Sequence, residues 1–316
     1  EGEDERVLRA AQIIKEEGLA EPILIGRPKV IESRAERHGL KLRPGETIEV
    51  INPEDDPRFR DYSDLYFSLV GRHGVTPDAA RTAVRSNSTV IGALAVKRGE
   101  ADALICGLEG RFDDYLTHVE GIIGCAPGVN SFAALSILIG QTGTYFLVDT
   151  AVTDDPSAAE IAEMTRLAAR QVRRFGTTPK AALLSHSNFG SRDSASARKM
   201  REAAEILWRT VPDLEVDGEM NGEDALSELV RGRSMPDSKL TGEANLLVFP
   251  NLDSANIAMT LLKEMTQALH IGPLLLGAAQ PAYIVSRSTT ARGVVNMTAV
   301  AAVEAASRSV AVAAAT

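Results

Sequence analysis

Short apolar runs alternate along this chain with stretches whose apolar positions recur every three to four residues, and that alternation predicts strands and amphipathic helices in turn. In the first part the spacing predicts helices over 3–17, 30–38, 65–71, 77–86 and 89–98, and buried strands over 22–26, 47–51 and 103–107. Acidic residues suit the first turn of the opening helix, and Gly18 closes it. Residues 53–64, which hold two prolines, read as a polar connection. From Gly128 the pattern renews itself, with apolar runs over 131–139 and 145–149 and a long amphipathic helix over 158–175. Strands follow over 180–185 and 245–249, and helices over 196–210, 223–231 and 255–268. A run from 274 to 286 leads into an alanine-rich helix that extends to about residue 312. This order predicts an α/β fold of mostly parallel sheets flanked by helices on both faces.

The most informative stretch is 280–297. An apolar strand stops at Ser286-Arg287, a cluster of hydroxyl residues follows, and helical spacing begins near Ala291. A strand delivering a polar loop onto a helix N-terminus is an anion site in waiting, because free backbone N–H groups and the helix dipole favour phosphate or a developing oxyanion. Arg287 adds a forked donor set for the same oxygens. The plainer alternative makes Ser288, Thr289 or Thr290 an N-cap and Arg287 a solvated charge.

Composition narrows the function classes. Of 316 residues, 44% are hydrophobic and 24% charged, the balance of a soluble globular protein with material for two modest domains or one large α/β unit. With 34 basic against 43 acidic residues the net charge is −9, which argues against nucleic-acid and anionic-membrane surfaces while leaving room for a local basic pocket. No apolar run reaches the roughly 18–20 residues of a membrane span, and no signal peptide is present. Cys106 and Cys125 form neither a disulfide framework nor a zinc spacing, and read as reduced thiols of a cytoplasmic protein. No Gly-x-Gly-x-x-Gly fingerprint follows a strand, so no nicotinamide site is expected in this chain. The chain opens at Glu1 inside a recognisable motif and reads as a fragment of something longer.

That motif, Glu1-Gly2-Glu3-Asp4-Glu5-Arg6-Val7-Leu8, is followed in order by Ala101-Asp102-Ala103-Leu104, Asp217-Gly218-Glu219-Met220, Phe249-Pro250-Asn251-Leu252 with Ala255-Asn256-Ile257, Ile271-Gly272-Pro273 and the Ser286-Arg287 stretch. Together these segments resemble the phosphate acetyltransferase (phosphotransacetylase) family over nearly the whole chain. Two blocks, Leu184-Ser185-His186-Ser187-Asn188-Phe189-Gly190-Ser191 and Arg231-Gly232-Arg233-Ser234-Met235-Pro236-Asp237-Ser238, resemble more narrowly the phosphotransacetylase-like C-terminal region of multidomain NADP-dependent malic enzymes.

The resemblance implies a phosphotransacetylase or isocitrate-dehydrogenase-like fold of two α/β domains with an inter-domain cleft: a discontinuous first domain of residues 1–127 and 284–316, and a second, dimerising domain of residues 128–283. It implies a regulatory module that binds acetyl-CoA as an allosteric ligand and has lost transferase activity. Oxidative decarboxylation of malate to pyruvate would belong to an N-terminal part outside this chain, where NADP and a divalent metal are expected. Partners would be those N-terminal domains and a second copy of the chain. The residues expected at acetyl-CoA are Arg72, Ser185, Asn188, Asn251, Asn256, Ser286 and Arg287, with no catalytic residue and no metal ligand.

The loss of activity is read from departures. Where the family carries an aspartate seven residues past its serine, this chain has Gly293, and the family's arginines fall at Thr117 and near Val70. Acyl transfer between a thiol and phosphate needs a base and cations for the oxyanion; losing a base costs a factor of about 10² to 10⁴. The rival reading is a working phosphate acetyltransferase, and a third is a structural oligomerisation domain. Individual candidates keep two readings each. Asn251 reads pantetheine amides or caps a helix. His186 orients a ligand or is structural. Arg72 and His73 meet CoA phosphates or form a solvated turn. Asp154-Asp155-Pro156 is a metal pair or, with Asp155 as N-cap, a helix start.

Overall fold

The computed structural model describes the backbone of residues 1–315 and the side chains of residues 1–308. The chain forms two compact units, Glu1–Pro127 with Ala278–Thr316, and Gly128–Gly277.

The first unit opens with α1 (Glu5–Glu16), β1 (Ile23–Ile25), α2 (Pro28–Arg37), β2 (Glu49–Ile51), α3 (Phe59–Val70), α4 (Pro77–Ser86), α5 (Ser88–Lys97), β3 (Leu104–Cys106) and α6 (Phe112–Ile122). Local chemistry sets the boundaries. The Asp4 side chain accepts from Arg6 N at the head of α1, and Gly18 follows it at φ 63°, a left-handed stop that favours glycine. Thr76 caps α4 with Pro77 in its first turn. Asn87 ends α4 and caps α5, taking bonds from Thr89 N and Val90 N. From Thr89 to Val96 every residue of α5 is buried, so this helix is the core of the unit.

The second unit holds β4 (Ala133–Gly140), β5 (Gly143–Val148), α7 (Ala158–Arg174), β6 (Lys180–Leu184), α8 (Ala195–Thr210), β7 (Glu215–Met220), α9 (Gly222–Leu226), α10 (Glu228–Ser234), β8 (Leu246–Val248), α11 (Leu252–Thr266) and β9 (Leu269–Leu276). Its six-stranded sheet runs β7-β6-β8-β5-β4-β9. The pairs β7–β6, β6–β8 and β8–β5 are parallel, while β4 is antiparallel to both β5 and β9. Successive residues of β5 serve opposite faces: Phe146 packs edge-on against Phe175 just past α7, with centroids 5.8 Å apart, and Leu147 joins the cluster containing Ala255 of α11. Helices cover both faces, as expected, although the sheet is mixed rather than wholly parallel.

The chain then returns to the first unit with β10 (Ala282–Ile284), parallel to β3, and α12 (Ala291–Ala315). The crossing falls at Gly277–Ala278, ahead of the expected boundary at 284, because β10 pairs with β3 and so belongs to the first unit. Several segments depart from the periodicity reading: β7 falls where no strand is read, 223–231 is divided between α9 and α10, and the run 274–286 is divided between β9 and β10. Residues 53–64 are not all connection, since α3 begins at Phe59 and buries Tyr62, Tyr66 and Val70 on one stripe, and α6 fills a stretch to which no element was assigned.

Burial carries a measurable consequence in β9. It pushes the His270 imidazole down to about 4, with the Lys263 charge adding to the push, and Nε2 finds no hydrogen-bond partner. The unfolded chain takes up this proton near pH 6.5 and the folded chain only near pH 4. Between these values the unfolded state binds more protons, so stability falls as pH drops through that window and is unaffected by this group above it. Allowing for partial exposure of the ring, the loss is about 2–3 kcal/mol. Urea melts at about pH 7 and pH 4.5 are expected to show that loss in the native chain and its disappearance in His270→Gln.

Candidate functional site

In the first unit, β10 delivers Ser286 and Arg287 into the loop before α12. Gly293 N donates to Thr290 Oγ1 at 3.1 Å, which makes Thr290 the cap of α12. The Ser286 hydroxyl lies 3.0 Å from Ser288 Oγ and 3.2 Å from Thr289 Oγ1, and Ser286 N donates to Thr289 Oγ1 at 3.2 Å. No carboxylate bonds this hydroxyl among the described residues. A Cβ on Gly293 would stand 2.7 Å from Thr289 Cγ2, so the Thr289 methyl covers the place where an aspartate side chain would start.

Two arginines hold this loop differently. Arg6 Nη1 donates to Arg287 O at 2.7 Å and to Thr289 O at 3.2 Å, and its Nη2 donates to Leu108 O at 3.3 Å. Asp4 fixes the same guanidinium at 2.9 Å, and Arg6 in turn holds the Asp4 carboxyl below the usual carboxylate range. Arg287 is exposed and donates through Nε to Gly110 O at 3.1 Å, leaving its terminal nitrogens without a protein partner among the described residues. Arg6 is therefore committed to the scaffold and Arg287 is available to an anion. Arg72 is exposed in the 3₁₀ turn Gly71–His73. Thr117 sits on α6 with its hydroxyl on Asp113 O at 2.8 Å, and Val70 is buried at the end of α3; neither position carries a cation.

In the second unit, the loop after β6 is organised by Glu219, which is wholly buried. Its Oε1 accepts from Ser187 Oγ at 2.7 Å, Gly190 N at 2.9 Å and Arg201 Nη1 at 3.1 Å. Phe189 N donates to the Glu219 carbonyl at 2.8 Å, and Phe189 itself holds φ 45°, a left-handed conformation that costs a bulky residue about 1–3 kcal/mol. Its ring packs on the cluster containing Leu184, Met220, Phe249 and Ala255, which offsets that cost. Asn188 is committed to the fold: Oδ1 accepts from Asn221 N at 2.6 Å, and Nδ2 donates to Asp224 Oδ2 at 2.8 Å. Ser185 Oγ accepts from Ser187 N at 3.1 Å, and its hydroxyl proton remains for a ligand.

Asn251 caps α11 by accepting from Ser254 N at 2.9 Å, so the capping role is realised at this position while its amide nitrogen stays free of protein among the described residues. Asn256 Nδ2 donates to Thr150 O at 3.1 Å. The turn that presents Thr150 is built on buried Asp149, whose carboxylate gathers Ala134 N, Ala151 N, Val152 N and Thr153 N at 2.8–3.1 Å. Burial raises the Asp149 pKa and those N–H groups oppose the rise. The 154–156 reading is corrected: Ser157 is the N-cap of α7 in a capping box with Glu160, and Asp155 pairs with Lys199. His186 is exposed, 3.5 Å from Ser194 Oγ. Cys106 is buried, and that burial pushes its thiol up to about 12. No group of metal-ligating side chains and no membrane-length apolar helix occurs among the described residues.

Sequence periodicity shows the strand-end loops but not the charges that shape them: buried Asp149, Glu219, Asp224 and Arg231, and the anchoring Arg6. A charge inside a strand, as in Asp217-Gly218-Glu219-Met220, is a local signal for Glu219 alone; Arg6, Asp224 and Arg231 lie in helices, where a charge carries no such signal.

The model of the family described as phosphate acetyl/butaryl transferase matches residues 1–302. The chain belongs to that family. It is 64% identical over 304 residues to an NAD-dependent malic enzyme of Rhizobium meliloti, and 47% identical over 306 residues to the NADP-dependent malic enzyme of Escherichia coli; each match covers 96% of this chain and 40% of the relative. The chain thus spans about two fifths of the length of the malic enzymes it matches. Among solved structures, a phosphotransacetylase from Streptococcus pyogenes superposes with a TM-score of 0.89 at 30% identity, covering 97% of this chain and 92% of that one. The α/β fold expected from the resemblance is that of these phosphotransacetylases.

Proposed function

We propose that this chain is an acetyl-CoA-sensing regulatory domain of an NAD- or NADP-dependent malic enzyme and does not itself transfer acyl groups. The observation that carries the reading is at Ser286: hydroxyls surround it, Gly293 supplies no acid, and the Thr289 methyl covers the gap. A site without its base loses about 10² to 10⁴ in rate, while groups that grip a ligand away from the reacting centre are untouched. Arg287 supplies the free cation for an anionic group of acetyl-CoA. The nicotinamide and metal chemistry belongs, on this reading, to the part of the malic enzymes that this chain does not cover.

The partner reading extends to a second copy of the chain. Ile257, Leu261 and Met265 recur every four residues along α11 and are 56%, 55% and 79% exposed. Leu269 and Ile139, which pair across β9 and β4, are exposed as well, and exposed apolar groups of this kind are what a second copy would cover.

Calorimetry and a coupled transferase assay test the proposal together. The native chain is expected to bind acetyl-CoA, and Arg287→Ala to bind it about 10- to 100-fold more weakly, the loss of a charge-assisted bond. Turnover is expected at least a hundredfold below the usual 1–10³ s⁻¹. Ordinary turnover would instead establish a working phosphate acetyltransferase, the reading that likeness to the phosphotransacetylases favours. Unchanged binding in Arg287→Ala would remove this loop from the ligand site.

A further inference from the structure

In the first unit the loop after β3 and the loop after β10 lie side by side. Gly107, the first residue past β3, has φ 112°, and a Cβ there would stand 2.4 Å from Val285 O at the end of β10, so a larger residue would drive the two loops apart. The Glu1 carboxylate accepts from Gly107 N and Leu108 N, each at 3.0 Å, and from Glu109 N at 3.2 Å. Tyr115 of α6 completes the row. Its hydroxyl accepts from Gly110 N at 2.8 Å and donates to Glu1, and its ring lies where a Cβ on Gly110 would be only 2.5 Å away. The amides of 107, 108, 109 and 110 are thereby all tied down, which fixes the Gly110 carbonyl that receives Arg287 Nε at 3.1 Å.

Arg6 holds the same arginine from the other side. A guanidinium has about five N–H donors, and each of those on Arg6 finds an acceptor. Nε and one Nη2 proton go to the Asp4 carboxylate at 3.1 and 2.9 Å. The other Nη2 proton goes to Leu108 O, and the Nη1 pair goes to Arg287 O and Thr289 O. One side chain thus joins the main chain of both loops. Asp4 offsets the Arg6 charge at contact distance, so an anion reaching this loop is drawn by Arg287. With every donor spent, Arg6 has none left for a ligand, and its influence on one passes through the residue it holds.

We propose that Arg6 and Tyr115 are positioning residues for Arg287: Arg6 fixes its main chain, Tyr115 fixes the carbonyl that holds its Nε, and the free end of the fork is left aimed at an anionic group. The proposal rests on the reading of Arg287 as the cation for acetyl-CoA, and adds to it two side chains that the ligand need not touch. The gain is entropic. Ordering a long exposed side chain during binding costs rotamer freedom, and an arginine held at its own carbonyl and at Nε has given up much of that freedom beforehand.

A double-mutant cycle in acetyl-CoA affinity, measured by calorimetry on the intact protein, tests it. Arg6→Gln and Tyr115→Phe are each expected to weaken binding about 2- to 30-fold, the range for residues that act on a site without touching its ligand. Neither is expected to weaken it further once Arg287 is alanine. General damage to the fold would instead weaken binding by the same factor in both backgrounds, and that result would overturn the proposal. Native affinity in both single variants, with Arg287→Ala weakened, would overturn it too while leaving the reading of Arg287 in place. Unchanged affinity in Arg287→Ala would remove that reading and the proposal with it. Tyr115→Phe deletes a single oxygen and is expected to fold, so the cycle remains decisive should Arg6→Gln fail to.

Discussion

Glu219→Ala is expected to lower the unfolding free energy of the second unit by about 2–4 kcal/mol, the cost of leaving Ser187 and Gly190 short of an acceptor and half-buried Arg201 short of its buried partner. The side chain is wholly buried, and its loss strips the acceptor from Ser187, Gly190 and Arg201 together. The loop from 185 to 191 would then lose its side-chain anchors on both sides of Phe189, keeping only the bond from Phe189 N to the Glu219 carbonyl. Trp208, the one tryptophan of the chain, lies in α8 with its Nε1 donating to Val216 O at 2.9 Å, and its fluorescence reports this unit in urea. Glu219→Gln keeps an acceptor oxygen and is expected to lose only about 1–2 kcal/mol. A midpoint unchanged in the alanine variant would mean that the loop is held by other contacts.

Arg231→Ala is expected to cost a similar 3–5 kcal/mol by a different route. Arg231 is 1% exposed and donates to three main-chain carbonyls: Asp224 O at 2.8 Å, Leu240 O at 2.9 Å and Gly242 O at 2.7 Å. Truncation leaves these acceptors buried without donors and opens a void beside α10. The same segment carries Ser238 and Lys239, which bond the buried Asp217 carboxylate at 2.7 Å, and the Lys239 ammonium sits 3.6 Å from the Trp208 ring centroid. Tryptophan emission should therefore shift in the folded variant before any denaturant is added. Arg231→Lys is expected to recover only part of the loss, because a single ammonium cannot reproduce the planar fork. A variant with native emission and native midpoint would show that water replaces the guanidinium at little cost.

Much of the fold was legible from periodicity alone. Strands such as Lys180–Leu184 and helices such as Ala158–Arg174 have the run lengths and caps that the physics demands. What periodicity could not show was strand direction: β4 and β5 are both mostly apolar, and only the tight Gly140↔Gly143 pairing makes them a hairpin. The start of α3 is masked in the sequence because Pro53 and Pro57 suggest loop, although Tyr62, Tyr66 and Val70 already carry a helical stripe. At the site, Ser286-Arg287 stood out because a polar loop follows an apolar strand. Glu219 and Arg231 did not, since a lone charge reads as solvated until distant segments close around it.

The packing of Thr289 over Gly293 couples the two positions. A side chain at 293 would crowd a methyl group 2.7 Å away, and overpacking of that kind costs about 1–3 kcal/mol unless the threonine turns aside. An engineer installing an acid at 293 would therefore do better to change both residues together, with serine or alanine at 289.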